Sequence, residues 1–183
     1  MNLKNYKLNL KKLIDEIDLS FIENIVEKMK KVKKRNGKIL IIGNGGSIST
    51  ANHISVDLTK NAKIPTLQPY NDNLITCYSN DYGFENWVYK LIKYFLNKKD
   101  LVIFLSVSGN SKNLVKAAKL CSKSKIDLIS LTGFNKKNKL SKIGNFNYSV
   151  NSKSYNQVEA MHFIILSMVV DKLVGKDIYG TNL

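Results

Sequence analysis

Two short polar segments of this sequence have the composition of anion-binding loops. GNGGS at 43–47 follows the apolar run 39–42, and SVSGNS at 106–111 follows the apolar run 101–105. Glycine lets the backbone approach a ligand closely, while serine hydroxyls and the free N–H groups of a helix N-terminus donate hydrogen bonds to phosphate oxygens. We therefore predict that the two loops together bind a phosphate group. The predicted binding residues are Asn44, Gly45, Gly46, Ser47, Ser106, Ser108, Asn110 and Ser111.

A histidine and a carboxylate follow the first loop. His53 and Asp57 are spaced i, i+4 in the helix predicted after GNGGS, so both lie on one face of that helix. Imidazole and carboxylate groups transfer protons and ligate divalent metals. A phosphate loop with such a pair on the following helix predicts a functional site and not only a turn.

The elements that must position these residues alternate along the chain. Residues 1–35 predict two helices, and 74–78 fits either a strand or a helix. The predicted strands are 39–42, 101–105, 126–131 and a weaker edge strand at 146–150. One more helix is predicted directly after GNGGS, and three others are predicted at 84–96, 112–123 and 153–174. This order predicts a three-layer α/β sandwich with a parallel sheet, whose loops 43–47 and 106–111 meet at the carboxyl edge. Taken alone, the serine-rich loop also fits an ordinary N-cap and turn.

Composition argues against several classes of protein. The 183 residues fit one domain, and no apolar run reaches the length needed to span a membrane. Cys77 and Cys121 show no metal spacing and make no disulfide framework. The net charge is +15, but Arg35 is the only arginine and the lysines are dispersed, so we expect solvated lysine faces and no nucleic-acid partner. The Lys-rich N-terminus lacks a signal-peptide core, which predicts a cytoplasmic location.

Four motifs in order resemble the sugar isomerase (SIS) domain family. They are GNGGS with its histidine-bearing helix, NDYGF at 80–84, SVSGNS, and VEAMH at 158–162. Their spacing is most similar to the phosphoheptose isomerase branch, and the resemblance covers nearly the whole chain. It implies one SIS domain over 1–183, with a helical arm at 1–36 and an α/β core with a five-stranded parallel sheet at 37–183. It further implies a homotetramer with active sites at subunit interfaces.

The resemblance also implies an activity and residue roles. Phosphoheptose isomerases interconvert sedoheptulose 7-phosphate and D-glycero-D-manno-heptose 7-phosphate without an organic cofactor, in the supply of heptose for surface polysaccharide. Asp81 matches an aspartate near the sugar chain, and His53 matches a zinc ligand. Asp57 stands where the family has a glutamate that is both zinc ligand and base. The residues that match the phosphate-binding positions are Ser47, Ser106, Ser108 and Ser111.

The last helix departs from the family pattern. Glu159 stands where the resemblance implies a glutamine, His162 matches a histidine, and Ser167 replaces a second histidine that is a zinc ligand and acid/base group. A serine hydroxyl does not titrate near pH 7. The substitution leaves two alternatives open. One is a non-catalytic SIS regulator that binds phosphosugars or proteins, as replication-initiator-associated members do. The other is an isomerase of a different phosphosugar.

Isomerisation between aldose and ketose needs a base and an acid. The predicted catalytic residues are Asp57, Glu159 and His162, with a carboxylate moving the proton through an enediol. Glu159 and His162 are spaced i, i+3, and with His53 and Asp57 they offer two imidazoles and two carboxylates, a set that suits zinc or another divalent ion. The alternative is that His162 is a buried core histidine and Glu159 a pocket carboxylate or ion-pair partner.

Overall fold

The computed structural model describes residues 2–144 and 146–176. Its centre is a five-stranded sheet in the order β2-β1-β3-β4-β5, in which every pairing is parallel. The strands are β1 (Ile39–Gly43), β2 (Thr66–Leu67), β3 (Leu101–Ser106), β4 (Asp127–Thr132) and β5 (Asn147–Ser149). The predicted parallel α/β sheet is confirmed. The predicted single domain spans 1–183, and of that range residues 1, 145 and 177–183 lie outside the described residues.

Seven helices surround the sheet within the described part of the chain. They are α1 (Leu3–Asp15), α2 (Leu19–Lys34), α3 (Gly46–Lys60), α4 (Asp72–Tyr82), α5 (Trp87–Phe95), α6 (Lys112–Lys123) and α7 (Tyr155–Val174). The ambiguous segment 74–78 lies inside α4, whose N-cap Asn71 accepts hydrogen bonds from two first-turn N–H groups. No helix among the described residues is long and apolar enough to cross a membrane.

The central strands β1 and β3 are apolar except for the serine that ends β3, because both faces of the sheet are covered there. On β1, Ile39 and Ile41 pack with α2, α3 and α7, while Leu40 and Ile42 pack with α5 and α6. Successive side chains of a strand point to opposite faces, so a strand buried on both sides loses the polar alternation of a surface strand. The three layers leave the carboxyl edge of the sheet to the loops that follow β1 and β3.

Candidate active site

The conformation of the loop after β1 depends on its glycine backbone and on hydrogen bonds to one tyrosine. Gly45 has a φ of +56°, which favours glycine, and α3 begins directly afterwards at Gly46. The Gly43 N–H donates to the Tyr70 hydroxyl at 2.7 Å, and that hydroxyl donates to the Gly43 carbonyl at 3.2 Å. Because β2 pairs with β1 only as far as Leu40, Tyr70 takes the place of a strand at this edge. Burial raises the pKa of the Tyr70 phenol, which keeps it a neutral donor.

The loop after β3 brings two serine hydroxyls together at the start of α6. Ser106 is the buried last residue of β3, and its Oγ lies 3.2 Å from the Oγ of Ser111. Ser111 is the N-cap of α6, but its side chain makes no capping hydrogen bond. Its hydroxyl is therefore not used as in an ordinary N-cap, and the first-turn N–H groups of α6 face the same region. This arrangement supports an anion cradle over the plain turn.

Other residues of the second loop are used to hold its shape. Gly109 has a φ of +64°, and the buried side chain of Asn138 lies directly against its α-carbon. The Asn110 amide donates to the Ser108 carbonyl at 2.9 Å, and its Oδ1 accepts from the Lys139 N–H at 3.2 Å. The predicted ligand Asn110 is thus engaged within the protein. The segment after β4 braces the loop, a contact that the sequence did not signal.

The His53–Asp57 pair lies farther from the loops than the sequence suggested. Because α3 begins at Gly46, a rise of 1.5 Å per residue places His53 about 10 Å and Asp57 about 16 Å along the axis from Gly46. The three residues share one face of α3, which faces α7. His53 Nε2 is 3.2 Å from Asp57 Oδ2, and the Phe163 ring meets the His53 ring edge-on at 5.0 Å.

Glu159 and His162 point in different directions from α7. The Glu159 carboxylate lies against the α-carbon of Gly46, at the first turn of α3, where the positive end of the helix dipole favours a negative charge. His162 is 1% exposed, and its Nε2 lies 3.2 Å from the Thr132 carbonyl at the end of β4. A carbonyl only accepts, so Nε2 carries the hydrogen. Burial lowers the pKa of His162 to about 4, so it is neutral at pH 7.

The predicted four-residue metal set does not gather within one chain. Among residues 2–144 and 146–176, no three histidine, cysteine or acidic side chains form a group that could hold a metal ion. His162 faces the sheet while Glu159 faces α3. Within one chain His162 thus has the position of a core histidine that ties α7 to β4, while its predicted roles as metal ligand and catalytic group stay predictions. The Ser167 hydroxyl donates to the Phe163 carbonyl of its own helix at 2.9 Å.

Two further predicted binding residues, Ser47 and Asp81, differ in their position relative to the two loops. Ser47 is 3% exposed in the first turn of α3, directly after the glycines. Asp81 is exposed near the end of α4, where its carboxylate accepts from Asn80 at 3.0 Å and from the Cys77 thiol at 3.6 Å. The negative charge of Asp81 raises the pKa of that thiol. The contacts of Asp81 are local to α4, whereas Ser47 belongs to the loop itself.

Sequence reasoning missed a buried polar link between the two loops. The amide groups of Asn44 and Asn113 donate to each other, at 3.1 Å and 2.9 Å. Asn113 lies in the first turn of α6 and is 2% exposed. The only signal in the sequence was a polar residue at a position that α6 buries.

Comparison with known proteins finds relatives over most of the chain. The sequence matches the SIS domain family over residues 4–133, a range that includes both loops and α3 but not α7. A phosphoheptose isomerase of Aneurinibacillus thermoaerophilus is 30% identical over 180 residues, covering 94% of this chain and 90% of the relative. A phosphoheptose isomerase of Fusobacterium nucleatum is 29% identical over 171 residues, covering 91% of this chain and 88% of the relative.

The architecture also resembles a solved structure. A phosphoheptose isomerase of Neisseria gonorrhoeae superposes with a TM-score of 0.87 and covers 93% of this chain and 94% of its own. The two sequences are 23% identical, so this likeness concerns the fold. It extends to α7, which the match to the family leaves out.

Proposed function

The chain belongs to the SIS domain family, within its phosphoheptose isomerase branch, and we propose that it interconverts sedoheptulose 7-phosphate and D-glycero-D-manno-heptose 7-phosphate. It is an aldose–ketose isomerase. The observation that carries the proposal is the pair of hydroxyls of Ser106 and Ser111 at the start of α6, next to the glycine loop that opens α3. The product serves the supply of heptose for surface polysaccharide.

The phosphate group binds where two helices begin. The hydroxyls of Ser106 and Ser111 and the first-turn N–H groups of α6 donate to its oxygens, and Ser47 contributes from the first turn of α3. Both helix dipoles place partial positive charge at this edge of the sheet. The net charge of +15 attracts an anionic substrate from solution.

The isomerisation moves a proton between two neighbouring carbons through an enediol. A carboxylate removes the proton from the carbon next to the carbonyl and returns it to the other carbon. Glu159 and Asp57 are the two candidates. Glu159 is the one that the fold places beside the glycine loop, against Gly46, whereas Asp57 is paired with His53 farther along α3. His162, which is buried and lies near the Thr132 carbonyl, stays the third predicted catalytic residue.

The residues present in one chain do not fit a zinc site. His53 and Asp57 provide two ligands on one helix, and Phe163 packs beside them. Because zinc sites need three or four protein ligands, no reaction step is assigned to a metal. Binding of one divalent ion by His53, Asp57, Glu159 and His162 stays a prediction. Metal analysis after loading tests it, and equal metal content in the wild type and H53A would contradict it.

We also propose that the chain acts as a homotetramer in the cytoplasm. The arm supports assembly, because α1 and the start of α2 expose the apolar side chains of Leu3, Leu8, Ile14 and Leu19. Exposed apolar groups of this size on helices are typical of surfaces that other subunits cover. Light scattering on the eluting protein measures the mass, and a monomer at micromolar concentration would contradict this proposal.

The activity is tested with several ketose phosphates, with and without zinc, by following aldose formation. We expect turnover of sedoheptulose 7-phosphate and a large loss of kcat in E159Q or D57N, whichever removes the base. The double variant S106A/S111A is expected to raise KM about tenfold or more, since it removes two hydrogen bonds to a charged group. Ser124, exposed beyond the far end of α6, supplies the control variant S124A.

The outcomes separate the proposal from its alternatives. Absence of turnover with every ketose phosphate would contradict it. Tight binding without turnover, and no effect of E159Q or D57N, would indicate a phosphosugar-binding regulator. The regulator is worth testing because Ser167 stands where the family has a titrating histidine. Its hydroxyl donates to a carbonyl of its own helix.

A further inference from the structure

The two phosphosugar loops are joined by a pair of side-chain amides. Asn44 Nδ2 donates to Asn113 Oδ1 at 3.1 Å, and Asn113 Nδ2 donates to Asn44 Oδ1 at 2.9 Å. The pairing uses one donor and one acceptor of each amide, so it is the same when both amides are flipped. The residues are 69 positions apart in the chain. The pair is therefore a tertiary contact and not part of a local turn.

The loop after β1 depends on such outside contacts. Nothing lies within 4 Å of a Cβ built at Gly45, and α3 has no side-chain hydrogen bond at its N-cap. Gly43 is held by Tyr70 on the β2 side. Asn44, the next residue, is held by Asn113 from the other side.

Asn113 in turn belongs to the other loop. It lies two residues after Ser111, and it is 2% exposed, so its amide cannot exchange this partner for bulk water. Its Oδ1 also lies 3.0 Å from the N–H of Leu114, which anchors the side chain in the first turn of α6. A shift of either loop would leave a buried amide without its partner, which costs free energy.

We propose that Asn113 is a positioning residue that holds Asn44 and so sets the distance between the GNGGS loop and the serine loop for a sugar phosphate bound across both. This inference rests on the proposed function, because it assumes that both loops contact the same ligand. Asn113 itself is covered by the protein and acts through Asn44.

The test is a double-mutant cycle in the full-length protein, with sedoheptulose 7-phosphate as substrate. The variants are N113A, N44A and N44A/N113A. We expect N113A to raise KM about tenfold, since two hydrogen bonds to the loop are lost, with kcat changed less than about threefold. We expect the double variant to be no worse than N44A. C121A, in the buried face at the far end of α6, is the control and is expected to leave KM unchanged.

Two results would overturn the proposal. One is an unchanged KM in N113A. The other is an effect of N113A that has the same size with and without Asn44, because a purely structural role predicts independent losses. Should N113A fold poorly, N113D replaces it; this variant keeps the acceptor for Asn44 Nδ2 and loses the donor, so an increase in KM at normal thermal stability is expected.

Hydrogen exchange separates this inference from the proposed function. If the wild type turns over no ketose phosphate, the proposed function fails, and the inference is then decided by the backbone amides of residues 45–48. We expect these amides to exchange about tenfold faster in N113A and to the same extent in N44A, while the distal amides of α6 are unchanged. Unchanged exchange at 45–48 would overturn the inference.

Discussion

The substitution Y70F tests whether one hydroxyl holds the end of β1. The phenol oxygen is the only atom removed, and the ring keeps its packing. At present that oxygen accepts from the Gly43 N–H at 2.7 Å and donates to the Gly43 carbonyl at 3.2 Å. Without it, two backbone groups beside Asn44 lose their side-chain partner in a buried place. We expect both lower stability and a looser glycine loop.

The size of the effect follows from the two lost contacts. Each unsatisfied buried backbone group costs about 1–3 kcal/mol, so the loss of two partners is expected to lower the free energy of unfolding by about 2–6 kcal/mol. For a chain of this length, 1 kcal/mol corresponds to about 2–4 °C, so Tm is expected to fall by about 4–24 °C. Because the loop is proposed to bind the substrate, KM for sedoheptulose 7-phosphate is expected to rise.

Y148F is the matched control. The Tyr148 hydroxyl donates to the Glu16 carbonyl at 3.2 Å, in a half-exposed position on the edge strand β5. Its loss is expected to cost less than about 1 kcal/mol and to leave KM unchanged. Urea unfolding and steady-state kinetics measure both variants. Equal losses in Y70F and Y148F, or an unchanged KM in Y70F, would refute the reasoning.

Two more predictions concern the supports of the site. Burial lowers the pKa of His162 to about 4 from a usual 6.5. Between these pH values only the unfolded chain binds a proton on this residue. The free energy of unfolding is therefore expected to fall by about 3 kcal/mol as the pH drops from 6.5 to 4. Urea unfolding at several pH values measures this decline, and an equal decline in H162Q would contradict it. G109A is expected to cost about 1–3 kcal/mol more than G175A, because both glycines have positive φ but only Gly109 lies against Asn138. Equal unfolding midpoints for these two variants would show that the contact with Asn138 is unimportant.

The arrangement of the sheet and its loops was predictable from the sequence. Strand β3 is a run of five apolar residues followed by a serine, and its helix α6 was predicted with the observed bounds of 112–123. Such a run indicates a strand buried on both faces, which in turn indicates a parallel sheet. The carboxyl ends of parallel strands lie at one edge, so the meeting of the two polar loops followed from local patterns.

The direction of side chains on α7 was not predictable. Helix α7 is apolar almost all round, so its sequence has no clear polar face that would indicate its orientation. In the structure Phe163 and Ser167 are only partly exposed. Spacing alone placed Glu159 and His162 together. In the folded chain the two side chains have different neighbours, because the Glu159 carboxylate lies against Gly46 and His162 Nε2 lies near the Thr132 carbonyl.

The sequence by itself thus determined the fold class, the family and the position of the two loops proposed to bind phosphosugar, because these follow from short-range patterns of apolar residues, glycines and serines. Only the tertiary structure decided which side chains hold the loops and which acidic group lies beside them. Tyr70 reaches Gly43, and Asn113 reaches Asn44, across 27 and 69 residues. Such contacts depend on how α6 and the loop before α4 pack on the sheet. No local pattern encodes them, since a buried polar residue finds its partner only after the chain has folded.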